Sequence, residues 1–179
     1  MKKTIFIPAV VILCAAAILF GLTFGMQKIA TDQAEAEHLK IMQTLLPGSK
    51  DFILEPYSGD DANIHSVHKA EDYGYVIETV TAGYAGDIRM LIGVSKDGKV
   101  TGLVVREMSE TAGLGLNALN DTDFLAQFLN TSGDAEVGTN VDAITGATVT
   151  SKAITRCVNS AVAYVTGADI DSGATSWGG

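Results

Sequence analysis

The chain has 179 residues, 47% of them apolar, with 12 basic and 21 acidic residues and a formal net charge of -9. Once an N-terminal apolar segment is set aside, about 150 residues remain, which is one domain of ordinary size rather than two. All 21 acidic residues follow Lys28 but only nine of the basic ones do, so that part carries -12, a surface that repels phosphates and excludes nucleic acid as a partner.

Lys2-Lys3 precede an uncharged run from Thr4 to Gln27, long enough to cross a ~30 Å hydrocarbon core as a helix in contact with membrane lipid. A signal peptide ending at Ala15-Ala16-Ala17 is disfavoured because the apolar run continues through Phe24, and Leu13 is too large for lipoprotein processing before Cys14. We read residues 1–28 as an uncleaved single-pass anchor in the cell membrane. Lys2-Lys3 orient its N-terminus to the cytoplasm and the rest of the chain to the extracytoplasmic side, against a weaker opposite bias from Lys28.

Residues 29–48 read as a helical stalk. Within it, Ala30 to Leu46 is helix-like, with Ala34, Leu39, Ile41, Met42, Leu45 and Leu46 as candidate buried positions, until Pro47-Gly48 ends it. The middle of the chain is strand-like. Tyr73 to Thr81, Ile88 to Ser95 and Val100 to Arg106 are rich in Tyr, Val, Ile and Thr, and Lys96-Asp97-Gly98-Lys99 is a hairpin turn. This punctuation predicts an α+β domain with a twisted antiparallel sheet and packed helices. Gly83-Tyr84-Ala85-Gly86 links the first two of these strands.

Glu110-Thr111-Ala112-Gly113-Leu114-Gly115 is a loop whose backbone can be approached closely. Asp121 to Leu129 is a short helix, with Asp121 or Thr122 as its cap and Phe124 and Phe128 turned to the core. Cys14 and Cys157 are too far apart in character to pair, and no grouped cysteines exist to hold an iron–sulfur cluster or structural zinc. His65 and His68 lack a third ligand, so no metal is expected and any redox chemistry must come from an added organic cofactor.

The chain is organised around Asp142-Ala143-Ile144-Thr145-Gly146-Ala147-Thr148-Val149-Thr150, followed by a helix expected to begin at Ser151. Apolar residues at Ile154, Cys157, Val158, Ala161, Val162 and Val165 form the stripe of that helix. Thr145, Thr148, Thr150 and Ser151 supply four hydroxyls, and Gly146-Ala147 permit a tight turn. A helix N-terminus stabilises an anionic phosphate, which would hold a phosphate on Thr150. Equally, Thr150 or Ser151 can be a plain N-cap. The residues alone leave both readings open.

The run Asp142-x-x-Thr145-Gly146-Ala147-Thr148-x-Thr150 resembles the motif of bacterial FMN-binding domains in which a flavin transferase joins FMN, through its phosphate, to the last hydroxyl residue. The resemblance implies covalent FMN on Thr150, recognition through Asp142, and a cofactor pocket formed by Thr145, Gly146, Ala147, Thr148 and Ser151. The Glu110 loop resembles the Glu-Thr-Pro-Gly-Leu-Gly loop of the G subunits of Rnf complexes and the C subunits of sodium-pumping NADH:quinone reductases, with Ala112 replacing the proline. By that likeness Thr111, Gly113, Leu114 and Gly115 line the flavin, and Tyr84 and Glu110 are further candidate contacts.

Order and spacing are most similar to the Rnf G subunits. This implies an FMN-binding domain over 49–166 and an electron-relay role, without independent catalytic activity, beside the other membrane and peripheral subunits of an ion-translocating ferredoxin:NAD oxidoreductase. The alternatives are the quinone-reductase subunit or another anchored flavoprotein, and a non-redox anchored assembly or binding domain with Thr150 a cap. Residues 167–179 read as a flexible tail. It repeats the motif as Asp169-x-x-Ser172-Gly173-Ala174-Thr175, but Trp177 stands where the accepting hydroxyl should be.

Overall fold

A computed structural model of the chain describes residues 33–84, 86–108 and 121–168. The apolar run from Thr4 to Gln27, the Glu110 to Gly115 loop and the tail copy of the motif lie outside these residues. Among the described residues no helix is long and apolar enough to cross a membrane. The chain divides into two units, Met1–Lys40 and Ile41–Gly179. In the first, residues 33–40 belong to helix α1 (residues 33–45), and the expected buried positions Ala34 and Leu39 are exposed.

The second unit is built on a five-stranded antiparallel meander, in sheet order β1 (Ile53–Glu55), β2 (Ile64–Ala70), β3 (Gly74–Ala82), β4 (Asp87–Ser95) and β5 (Val100–Met108). Each strand pairs with its neighbour in sequence, so short turns suffice. At Ser95 to Lys99 the turn closes through the Ser95 N–H to the Lys99 carbonyl, and Gly98 takes the positive φ of 73° that the bend needs. Strand alternation divides the side chains between two cores. Val67, Ile77, Ile88, Met90, Ile92, Val94 and Val100 face helix α3 (Thr148–Thr166), which supplies Ala153, Ile154, Cys157, Val158, Ala161 and Val162. Helix α2 (Thr122–Ala126), capped by the Asp121 carboxylate on the Phe124 N–H, adds Phe124 and, just beyond its end, Phe128, whose rings meet edge-on at 5.3 Å.

The other face carries Ala70, Val76 and Leu91, covered by Met42, Leu45 and Leu46 from the end of α1 and the residue after it. Here Gly93 and Gly102, paired across β4 and β5, leave a flat patch against which the Leu45 backbone lies. Thr101 donates its hydroxyl to the Leu45 carbonyl and pins the helix end there. Beside this core Glu78 accepts from Arg89 at 2.8 Å and from Ser66 at 2.9 Å. Burial alone pushes the Glu78 carboxyl upward, but the bonds from Arg89 and Ser66 and the Arg89 charge outweigh it and hold the carboxyl below its ordinary value.

Two outcomes follow from this face. A Cβ on Gly93 would collide with the Leu45 backbone, so Gly93→Ala should destabilise the domain by about 1–3 kcal/mol in urea denaturation with little change in the m-value. For Glu78 the folded carboxyl is depressed, so its stabilisation is present above the unfolded glutamate pKa and is lost as pH falls through the lower folded value. Midpoints measured from pH 7 down to pH 3 should therefore fall less steeply in Glu78→Gln than in the wild type.

Candidate functional site

Helix α3 runs antiparallel to β3, as three contacts along its length fix. Near its C-terminal end the Tyr164 ring stands edge-on to Tyr75 at 5.7 Å; further back, Asn63 donates to Ser160 at 3.3 Å and Arg156 reaches the Ala82 carbonyl at 3.5 Å. Thr150 precedes Arg156 by six residues, about 9 Å further along the axis. The start of the helix thus lies toward the end of the sheet where residues 83–86 join β3 to β4. Met108 pairs with Ile88 at the same end, so the chain leaves β5 there to begin the segment that includes Glu110, Thr111, Gly113, Leu114 and Gly115, all outside the described residues. The Tyr84 turn and the start of the motif helix thus lie toward the same end of the sheet, the end at which β5 finishes. Tyr84 is 72% exposed in its turn.

The motif itself is a held loop. Ala147 donates its N–H to the Ile144 carbonyl at 2.9 Å, closing a turn with Gly146 at φ 80°, a conformation that strongly favours glycine. Thr145, Gly146 and Thr148 are exposed, as is Asp142. Ahead of the turn, the Gln127 side chain grips both backbone groups of Asp142, accepting from its N–H at 2.7 Å and donating to its carbonyl at 3.4 Å. Asn159 holds Ala135 in the same two-sided way, and Asn140 ties Glu136 to Asp134. These three amides were not marked by the sequence, because nothing in residue type or spacing says which distant backbone an amide will read.

The helix begins at Thr148, earlier than the expected start at Ser151, with Ala147 at the N-cap position and no side-chain capping bond. The Ser151 N–H bonds the Ala147 carbonyl at 2.9 Å, which brings Thr148, Val149 and Thr150 into the first turn. The apolar stripe starts only at Ile154 and carries no trace of that turn. Neither Thr150 nor Ser151 is the N-cap, so the plain-cap reading of both is overturned. The N–H groups of Thr148, Val149 and Thr150 precede the first helical bond, and no described backbone carbonyl accepts from them.

Thr150 is 1% exposed and Ser151 is fully buried. The Ser151 hydroxyl donates to the Ala147 carbonyl at 3.0 Å and accepts from the Ile144 N–H at 3.1 Å, so it clips the turn onto the helix. Lys152 and Arg156 follow Thr148 at four-residue spacing, and α3 contains no acidic residue. Two turns below Thr150, Cys157 is buried against the sheet, and burial pushes its thiol up to about 11, so it is a packing group and no nucleophile at neutral pH. Among the described residues no cluster of His, Cys, Asp or Glu could hold a metal.

Residues 83–163 match the FMN-binding domain family, a span that opens at the Tyr84 turn and closes within α3. Over 177 residues the chain is 36% identical to the G subunit of the ion-translocating oxidoreductase complex of Methanosarcina acetivorans, covering 90% of this chain and 93% of that one. It is 41% identical over 99 residues to the G subunit of the proton-translocating ferredoxin:NAD(+) oxidoreductase complex of Clostridium ljungdahlii, covering 51% and 53% of the two chains. With the G subunit of the Na(+)-translocating ferredoxin:NAD(+) oxidoreductase complex of Acetobacterium woodii it shares 36% identity over 119 residues, or 62% of this chain and 54% of that one. The chain belongs to the family formed by the G subunits of ion-translocating oxidoreductase complexes.

Proposed function

We propose that the chain carries FMN covalently, through a phosphoester on Thr150, and relays electrons as the G subunit of a membrane-bound, ion-translocating ferredoxin:NAD oxidoreductase of the Rnf type. The observation that carries the attachment is the position of Thr150 in the first turn of α3. Helical side chains lean toward the N-terminus, so a phosphate on its oxygen would lie over the turn that begins the helix, where three N–H groups have no backbone acceptor. Thr145 and Thr148 are exposed on the same turn and can donate to phosphate oxygens, and Gly146 lets the backbone come close. Lys152 lies one helical turn beyond Thr148, and the absence of acidic residues from α3 removes a source of repulsion for the anion. The residues present therefore fit a phosphate monoanion.

Bound FMN supplies one- and two-electron transfer, and the chain's part is to fix the ring and tune its surroundings. In this reading Asp142, exposed in its side chain and held by Gln127 at its backbone, is the residue offered to the flavin transferase. Ser151 supports the turn. Tyr84, Glu110, Thr111, Gly113, Leu114 and Gly115 are assigned to the flavin side of the pocket by their likeness to the family's loops. Residues 1–28 anchor the chain in lipid, 29–48 form the stalk, 49–166 the FMN-binding domain on the extracytoplasmic side, and 167–179 the tail.

Intact mass spectrometry of the protein from its own host tests the attachment. The wild type should exceed the mass of the unmodified chain by one FMN less one water, and Thr150→Val, similar in shape, should show the unmodified mass with an unchanged far-UV spectrum. An unmodified wild type from cells that flavinylate other proteins would overturn the proposal.

A further inference from the structure

The attachment residue and the residues around it differ in access. Thr145, Gly146 and Thr148 are exposed, whereas Thr150 is 1% exposed and Ser151 beside it is fully buried. Phosphoryl transfer from a second protein requires the accepting oxygen to meet phosphorus in line with the departing group, and a covered hydroxyl cannot do so. Resting on the reading of Thr150 as acceptor, we infer that flavin transfer proceeds through a local opening of the first turn of α3, and that Ser151 is the positioning residue that latches this turn shut.

The hydrogen bonds name the latch. Ser151 binds both ends of the turn, the Ile144 N–H and the Ala147 carbonyl, through one hydroxyl, and its own N–H adds a second bond to Ala147. Thr155 donates to the Ser151 carbonyl at 2.9 Å and joins the latch to the next turn. Beyond that point Ile154, Cys157, Val158 and Ala161 are fully buried against the sheet, so the body of the helix stays in place while its first turn frays. Gln127, at the end of α2, holds Asp142 independently of Ser151, so the recognition end of the motif remains presented when the acceptor end opens.

In the open form the Thr150 oxygen attacks the flavin-side phosphorus of a flavin dinucleotide. The Oγ–P bond forms, the phosphoanhydride P–O bond breaks, the nucleoside monophosphate leaves with the electron pair, and the hydroxyl proton passes to a base of the transferase. No group is oxidised or reduced. On reclosure the N–H groups of Thr148, Val149 and Thr150, which have no backbone acceptor, would be the donors available to the phosphoester.

The test uses the full chain, purified unmodified from a host lacking flavin transferase, then incubated with a flavin transferase and flavin adenine dinucleotide while intact mass is followed in time. Ser151→Ala should incorporate FMN about five- to thirtyfold faster than the wild type, the range expected from weakening one or two buried hydrogen bonds. Ser151→Thr, which keeps the hydroxyl, should restore the wild-type rate. Mild urea, too dilute to slow the transferase on Ser151→Ala, should accelerate the wild type toward that variant. Equal rates for folded Ser151→Ala and wild type, or a wild-type rate indifferent to urea, would overturn the latch. If Ser151→Ala does not fold, the urea series on the wild type decides alone. Thr150→Val should stay unmodified throughout; a wild type that remains unmodified even in urea removes the acceptor assignment itself, and with it the latch.

Discussion

The domain depends on one packing contact, the burial of a face of α3 against the middle strands of the sheet. Ile154, Cys157, Val158, Ala161 and Val162 are all fully buried there, and each large side chain so buried contributes roughly 1.5–3 kcal/mol before the entropy cost of ordering it. Alanine, serine and cysteine at Ala153, Cys157, Ser160 and Ala161 keep the buried stripe thin. Because the helix is fixed along its length at Tyr164, Ser160 and Arg156, the height of its first turn above the sheet end is fixed too. The position of Thr150 is thus a consequence of core packing two to four turns away.

Hydrophobic packing sets the helix but holds the loop before it only at Val141, Ile144 and Ala147, since Asp142, Ala143, Thr145 and Gly146 are exposed. Polar contacts take over that task. Gln127, Asn140 and Asn159 each reach two backbone groups, and Ser151 reaches two more at the turn. A loop held by paired amide contacts has fewer unsatisfied groups than one held by packing and can stay open to solvent without losing its shape.

Much of this was legible in the sequence. The strands from Gly74 to Met108 followed from β-branched residues and the Asp97-Gly98 turn, and Phe124 and Phe128 are in the core as their spacing requires. The two first strands were not legible. Ile53–Glu55 is a strand only through its pairing with β2, with Ile53 59% and Leu54 64% exposed, and β2 interrupts its alternation with a register shift between Ile64 and Ser66. In the site, hydroxyls and glycine marked the stretch but left its role open until the resemblance was added. Their division of labour stayed hidden, since the sequence cannot say that Ser151 points into the turn, or that the helix starts before its apolar stripe does.

That earlier start changes the electrostatics of the site. A residue at the N-cap stands outside the helical ladder and engages the helix's own donors with its side-chain oxygen. Thr150, in the first turn, leaves those donors free of it, and no side chain takes the capping role in its place, because Ala147 holds the cap position. An uncapped helix start forgoes about 1 kcal/mol of stabilisation. A helix that gives this up at an exposed turn, places no acidic residue along its length and sets Lys152 one turn beyond Thr148 keeps its positive end available to an anion from outside. The same chain carries a formal charge of -9, so a free flavin phosphate meets net repulsion from the molecule as a whole.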